Sequence, residues 1–160
     1  MDNSNIVYQK LTEDKIDTFI QMRINQLREE GATEDVDLAP ALRDYYVRHM
    51  ADGSFVSWLA MDGEKIVGTS GMSFVEKPPY FGCPSGKIGL LSSMFTDPDY
   101  RRKGIAKELL SRVVEEARVH GCGTVRFRSQ HQTWVSCYIQ HLVSSRIRIL
   151  CNIVLINGCH

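Results

Sequence analysis

The chain is predicted to fold as one α+β domain, α/β-like in its alternation, with a sheet packed against helices. Three observations carry this expectation. A length of 160 residues suits one hydrophobic core rather than two, so residues 1–160 read as a single domain. Apolar residues alternate with polar ones in several short runs, as in half-buried strands, and recur at three-to-four spacing in longer runs, as in amphipathic helices. The resulting order is β-α-α-β-β-β-α-β, followed by a C-terminal segment of altered pattern.

Ile6 to Leu11 alternates and reads as the first strand. Thr12, followed by Glu13, Asp14 and Lys15, offers an N-cap with acids at the positive end of the coming helix. Ile16, Phe19, Ile20, Ile24 and Leu27 form its apolar stripe and Gly31 stops it; Pro40 then opens a second helix through Leu42, Tyr45, Tyr46 and His49 to Gly53. Phe55 to Met61 and Lys65 to Val75 are rich in β-formers, and the intervening Asp62-Gly63 signals an antiparallel hairpin. Pro78 to Gly86, crowded with proline and glycine, is a loop. Ile88 to Phe95 is the next strand, ended by Asp97-Pro98. A helix runs from Gly104 through Ile105, Leu109, Leu110, Val113, Val114 and Ala117 to Gly121, and Thr124 to Phe127 begins another strand.

Charge excludes some function classes. Lys plus Arg and Asp plus Glu number 19 each, so no global field recruits nucleic acid or an anionic membrane, and any charge-based role is local. No apolar run reaches the about 18 residues of a membrane span, and MDNSN lacks the features of a signal peptide, so the expected compartment is the cytoplasm. Cys83, Cys122, Cys137, Cys151 and Cys159 are odd in number and form no CxxC pair, and the histidines show no ligand spacing; no disulfide framework and no metal site is expected.

The stretch from Leu91 to Ala106 carries the chemistry. A strand ends there in a short loop that leads directly into an amphipathic helix, whose first N–H groups have no intrahelical partner and sit at the positive end of its dipole. That is an anion site in outline, suited to a pyrophosphate. Gly104 allows close approach to the backbone, Ala106 keeps the next turn free of bulk beside Ile105, and Arg101, Arg102 and Lys103 concentrate positive charge.

Arg101-x-x-Gly104-x-Ala106 matches the [Gln/Arg]-x-x-Gly-x-[Gly/Ala] coenzyme A signature, and with its flanking strand, turn and helix the segment resembles the central motif of the GNAT acetyltransferase superfamily. The order of elements from Ile6 also resembles small bacterial members, as do Gly53 to Ala60 and Phe74 to Pro79. The resemblance implies a GNAT fold with a mixed, mostly antiparallel sheet flanked by helices. It implies acetyl-CoA as the acetyl donor, held by Arg101, Arg102, Lys103, Gly104, Ile105 and Ala106. It further implies a strand that splays at Met94 and Phe95, so that their backbone pairs with the pantetheine arm as an extra strand would. For the side chains of Met94 and Phe95 the alternative is plain core packing.

The C-terminal part departs from that family's pattern. A helix bearing Leu-Tyr and then Gly-Phe is expected after the last strand, with the tyrosine as acid to the coenzyme thiolate, but Ser129 to Ser144 reads SQHQTWVSCYIQHLVS. Joining the last base of each codon to the first two of the next forces Gly from Trp134-Val135 and Leu from Cys137-Tyr138. In that frame the stretch from His131 to Ser144 can spell SDMGELLYTAFGF, which resembles the missing motif. A single-base frameshift near codons 126 to 129 would leave residues 129–160 as an atypical tail; the alternative is a divergent ending, and the codons of the source gene decide between them.

The expected activity is acetyl-CoA-dependent transfer to a small primary amine by direct attack, without a covalent enzyme intermediate. The alternative is a non-catalytic coenzyme-binding or regulatory module that has lost the acceptor and acid half. Candidate catalytic residues are Tyr138, against packing in the tail, and Glu76, against an ordinary solvated strand end. Tyr45 and Tyr46 either line the acceptor cleft or turn a ring to the core. The apolar Ile147 to Ile156 run would offer an edge for a homodimer.

Overall fold

The computed structural model describes residues 5–128 and 148–152; Tyr138 and most of the atypical tail lie outside the described residues. Strand β1 spans Ile6–Lys10. After a 3-10 turn over Glu13–Lys15, helix α1 covers Ile16–Glu29 and helix α2 covers Ala39–Ala51. Thr12 makes no side-chain cap; its carbonyl accepts from the Lys15 amide at 3.0 Å and tightens the entry turn. Pro40 sits in the first turn of α2, where its missing N–H costs no helical bond.

The run Phe55 to Met61 was expected as one strand and is divided into β2, Phe55–Val56, and β3, Trp58–Asp62. The break falls at Ser57, which is buried and turns its hydroxyl to the Ser70 carbonyl, while its own carbonyl accepts from the Leu11 amide at 2.9 Å. Strand β4, Lys65–Glu76, and strand β5, Lys87–Thr96, form the central hairpin, followed by helix α3, Ile105–Val119, and strands β6, Thr124–Arg128, and β7, Arg148–Asn152. The sheet runs β1-β3-β4-β5-β6-β7, with β2 beside β4. Pairings up to β5 are antiparallel, whereas β5 with β6 and β6 with β7 are parallel. The mixed, mostly antiparallel sheet of the sequence expectation is therefore present.

Each face of the sheet carries its own core. On one, α3 buries Ile105, Leu109, Leu110, Val113, Val114 and Ala117, the predicted stripe, against Ala60, Val67, Met72 and Val125. Gly68 on β4 permits this contact, because a Cβ there would stand 2.9 Å from Ile105 Cγ2 and 3.0 Å from Leu109 Cδ1. On the other face α1 and α2 bury Phe19, Tyr46 and Phe55 as an aromatic cluster, with Phe19 and Tyr46 edge to face at 4.9 Å. Tyr46 thus belongs to the core, whereas Tyr45 is only partly buried and shares a hydrogen bond of 2.9 Å with Ser73. Burial raises the Tyr46 phenol above its ordinary pKa.

Candidate active site

The site begins with a bulge. Thr69 pairs with Phe95 and Gly71 with Ser92, so Ser93 and Met94 together face the single residue Ser70. Ser93 takes φ +54, a left-handed conformation that costs a non-glycine residue energy, and a bond across to β4 holds it there. The Thr69 hydroxyl donates to its carbonyl at 2.7 Å. The bulge bends β5 at the place where its second neighbour ends. The β5–β6 ladder covers only Ile88 to Leu91, so among the described residues Ser92 to Thr96 has no strand on its β6 side. An open edge of this kind presents main-chain donors and acceptors to an extended, amide-bearing ligand.

The loop after β5 is tied down from several sides. The Asp97 amide donates to Val67 O at 2.9 Å, the Tyr100 amide to Asp97 O at 2.8 Å, and the Tyr100 hydroxyl to Asp62 at 2.6 Å. Lys65 pairs with Asp97 at 2.9 Å, and its hydrogen bond holds the Asp97 carboxyl below the usual range. A lowered folded pKa means stability that is present above the unfolded value of about 4 and lost as pH falls through the folded one. Asp97→Asn is therefore expected to lower the urea midpoint at pH 7, with the gap from the unsubstituted protein closing as pH drops below about 4. Urea titrations across pH check this.

Arg102 at φ +62 and Gly104 at φ +81 flank Lys103, and this alternation of hand turns successive N–H groups to one side. Gly104 caps α3, and a Cβ on it would meet no atom within 4 Å, so the space before the helix entrance is open. A cleft of about 500 Å³ lies there. Its walls include Met94, Phe95 and Thr96 from the open edge, and Arg101, Arg102, Gly104, Ile105 and Ala106 from the helix entrance. Seven of the eight residues predicted to hold the coenzyme thus converge on one cavity. Lys103 is not in its lining; its ammonium lies 5.0 Å over the Tyr100 ring. The Met94 side chain is buried in the core beneath α3, and the Phe95 ring is partly buried against the core of the other face.

Other predicted residues are placed elsewhere. Glu76 pairs with Lys87 at the far end of the hairpin, five residues from Ser92 along β5, or roughly 17 Å of strand. Tyr138 lies outside the described residues. Gln26, Glu29 and Glu30, in the last turns of α1, form a wall of the cleft that the sequence reading did not assign. The residues before Gly31 show no signal beyond an acidic pair at a helix end.

The match to a family model decides the identity of this fold: the Acetyltransferase (GNAT) family model matches residues 16–136. The chain belongs to the GNAT family of N-acetyltransferases. The GNAT domain resembles a predicted acetyltransferase from Clostridium acetobutylicum, solved with acetyl-CoA, at TM-score 0.79 and 26% identity, over 97% of this chain and 99% of that one. It shares its fold with a GCN5-related N-acetyltransferase from Ralstonia eutropha at TM-score 0.76 and 22% identity, over 92% and 98%. Glucosamine-6-phosphate N-acetyltransferase from Arabidopsis thaliana has the same fold at TM-score 0.62 and 15% identity, over 94% and 98%. No curated protein matches this GNAT chain in sequence. Among the described residues no helix is long and apolar enough to cross a membrane.

Proposed function

We propose that the chain transfers an acetyl group from acetyl-CoA to a small primary amine by direct attack. One observation carries this reading: the open edge of β5 runs straight into the amide-lined entrance of α3, so one cavity offers both an extended main-chain track and an anion cradle. The diphosphate would rest on the amides of Gly104, Ile105 and Ala106, with Arg102 adding charge, and the pantetheine arm would pair along Ser92 to Thr96. The relative from Clostridium acetobutylicum, solved with acetyl-CoA, supports the choice of coenzyme.

Held in that way, the thioester carbonyl faces an amine that has given up its ammonium proton to a base or water. Attack forms the new C–N bond, an N–H of the open edge near Phe95 stabilises the oxyanion, and the thiolate leaves with a proton from an acid. In this reading the enzyme works in the cytoplasm, without a metal, a membrane or nucleic acid. Strand β7, at the end of the sheet, is the edge through which two copies would pair.

The altered sequence after Arg128 favours a second reading, a coenzyme-binding module without turnover. Free-thiol release from acetyl-CoA across a panel of primary amines separates them. Amine-dependent release is expected; coenzyme binding with no release for any amine would instead support the module.

A further inference from the structure

We propose that Arg101 is a positioning residue of the coenzyme cleft, shielding the incoming diphosphate from Glu29 and bracing the end of α1 as a wall, and is not itself a phosphate ligand. The proposal rests on the reading of the cleft as the acetyl-CoA site. Its starting point is where the guanidinium goes. Arg101 Nη2 donates to both oxygens of Glu29, at 2.8 and 3.1 Å, and its Nε donates to the Thr96 carbonyl at 2.9 Å. The same group lies 5.7 Å over the Phe95 ring. One side chain therefore joins the last turn of α1 to the last residues of β5, the two walls between which the coenzyme must pass.

Charge gives this clasp its meaning. Glu29 and Glu30 both line the cleft opposite the phosphate-binding loop. Glu30 accepts from the uncharged Gln26 amide at 2.9 Å, and Gln26 accepts from Arg23 at 2.8 Å, so a polar chain along α1 holds the acidic turn in place. A diphosphate brought to the helix entrance shares the cleft with this acidic wall. With Arg101 paired to it, the Glu29 charge is neutralised; without that pairing, carboxylate and phosphate repel across the cleft. The amides of the helix entrance and the exposed Arg102 are left to carry the attraction.

Calorimetric titration of acetyl-CoA into the full chain and three variants tests the shield. Arg101→Gln is expected to weaken binding by about tenfold or more, because it bares Glu29. Glu29→Gln is expected to tighten binding by about threefold, since it removes the repulsive charge. The double variant Glu29→Gln/Arg101→Gln is expected to recover affinity to within about threefold of the unsubstituted protein, a rescue that only a shielding role allows. Arg101 and Glu29 are about half exposed, so thermal melts of all three variants should stay close to that of the unsubstituted chain.

A double variant as weak as Arg101→Gln would overturn the shield and make Arg101 a direct phosphate ligand. Full affinity in Arg101→Gln, or weakened binding in Glu29→Gln, would overturn it as well. Absence of binding by the unsubstituted chain would instead sink the coenzyme reading, and the shield with it.

Discussion

Gly104→Val is expected to weaken acetyl-CoA binding by about a hundredfold, close to 3 kcal/mol, while leaving the protein folded. Two separate effects are combined in that number. Gly104 sits at φ +81, where a β-branched residue is strained by about 1 to 2 kcal/mol, and that strain acts on the free protein. A Cβ at this position meets no atom within 4 Å beyond its chain neighbours, so the side chain projects into the open space before α3 that a ligand would fill. Strain alone is small against a typical stability of about 5 to 15 kcal/mol, and the melt should shift by only several degrees. Loss of binding far beyond the loss of stability would locate the ligand at the Gly104 amide. Parallel calorimetry and thermal melts measure the two quantities.

Gly68→Val has the opposite character: a large loss of stability, about 3 kcal/mol or more, at a position that lines no part of the cleft. No left-handed conformation is involved, so the penalty is purely steric. Even a bare Cβ would stand 2.9 Å from Ile105 Cγ2, 3.0 Å from Leu109 Cδ1 and 3.3 Å from Ala60 Cβ, all buried members of one core cluster. Two further methyl groups must push the first turn of α3 away from β4. Because that turn carries the amides proposed to hold the diphosphate, coenzyme affinity should fall along with the urea midpoint. Gly68→Ala, which asks its neighbours to yield by a few tenths of an ångström, should cost about 1 kcal/mol. Equilibrium urea unfolding of both variants gives the comparison.

The features legible in the sequence were those with a local physical cause. The α3 stripe from Ile105 to Ala117 is a 3.6-residue period, and every predicted member is buried. The hairpin at Gly63 follows from a residue that accepts φ +57, and the cradle at Gly104 from a glycine placed between a strand and a helix. The missed features depend on partners distant in the chain. Ser57 continues a run that alternates well enough for one strand, and the break there coincides with bonds to Ser70 and Leu11, both distant in the chain. The bulge at Ser93 is held by Thr69, on a different strand. Glu29 and Arg101 stand 72 positions apart, a separation at which spacing carries no information about contact. Glu76 reads from the sequence as a strand-end carboxylate, and register alone reveals that its end of the strand lies away from the cleft.

A crystal structure of the chain grown with coenzyme A would place the diphosphate and the pantetheine arm at once. The diphosphate is expected within hydrogen-bonding distance of the Gly104, Ile105 and Ala106 amides, with the pantetheine amides paired to the backbone between Ser92 and Thr96. A nucleotide bound at another surface, with the entrance of α3 and the edge of β5 both empty, would contradict it.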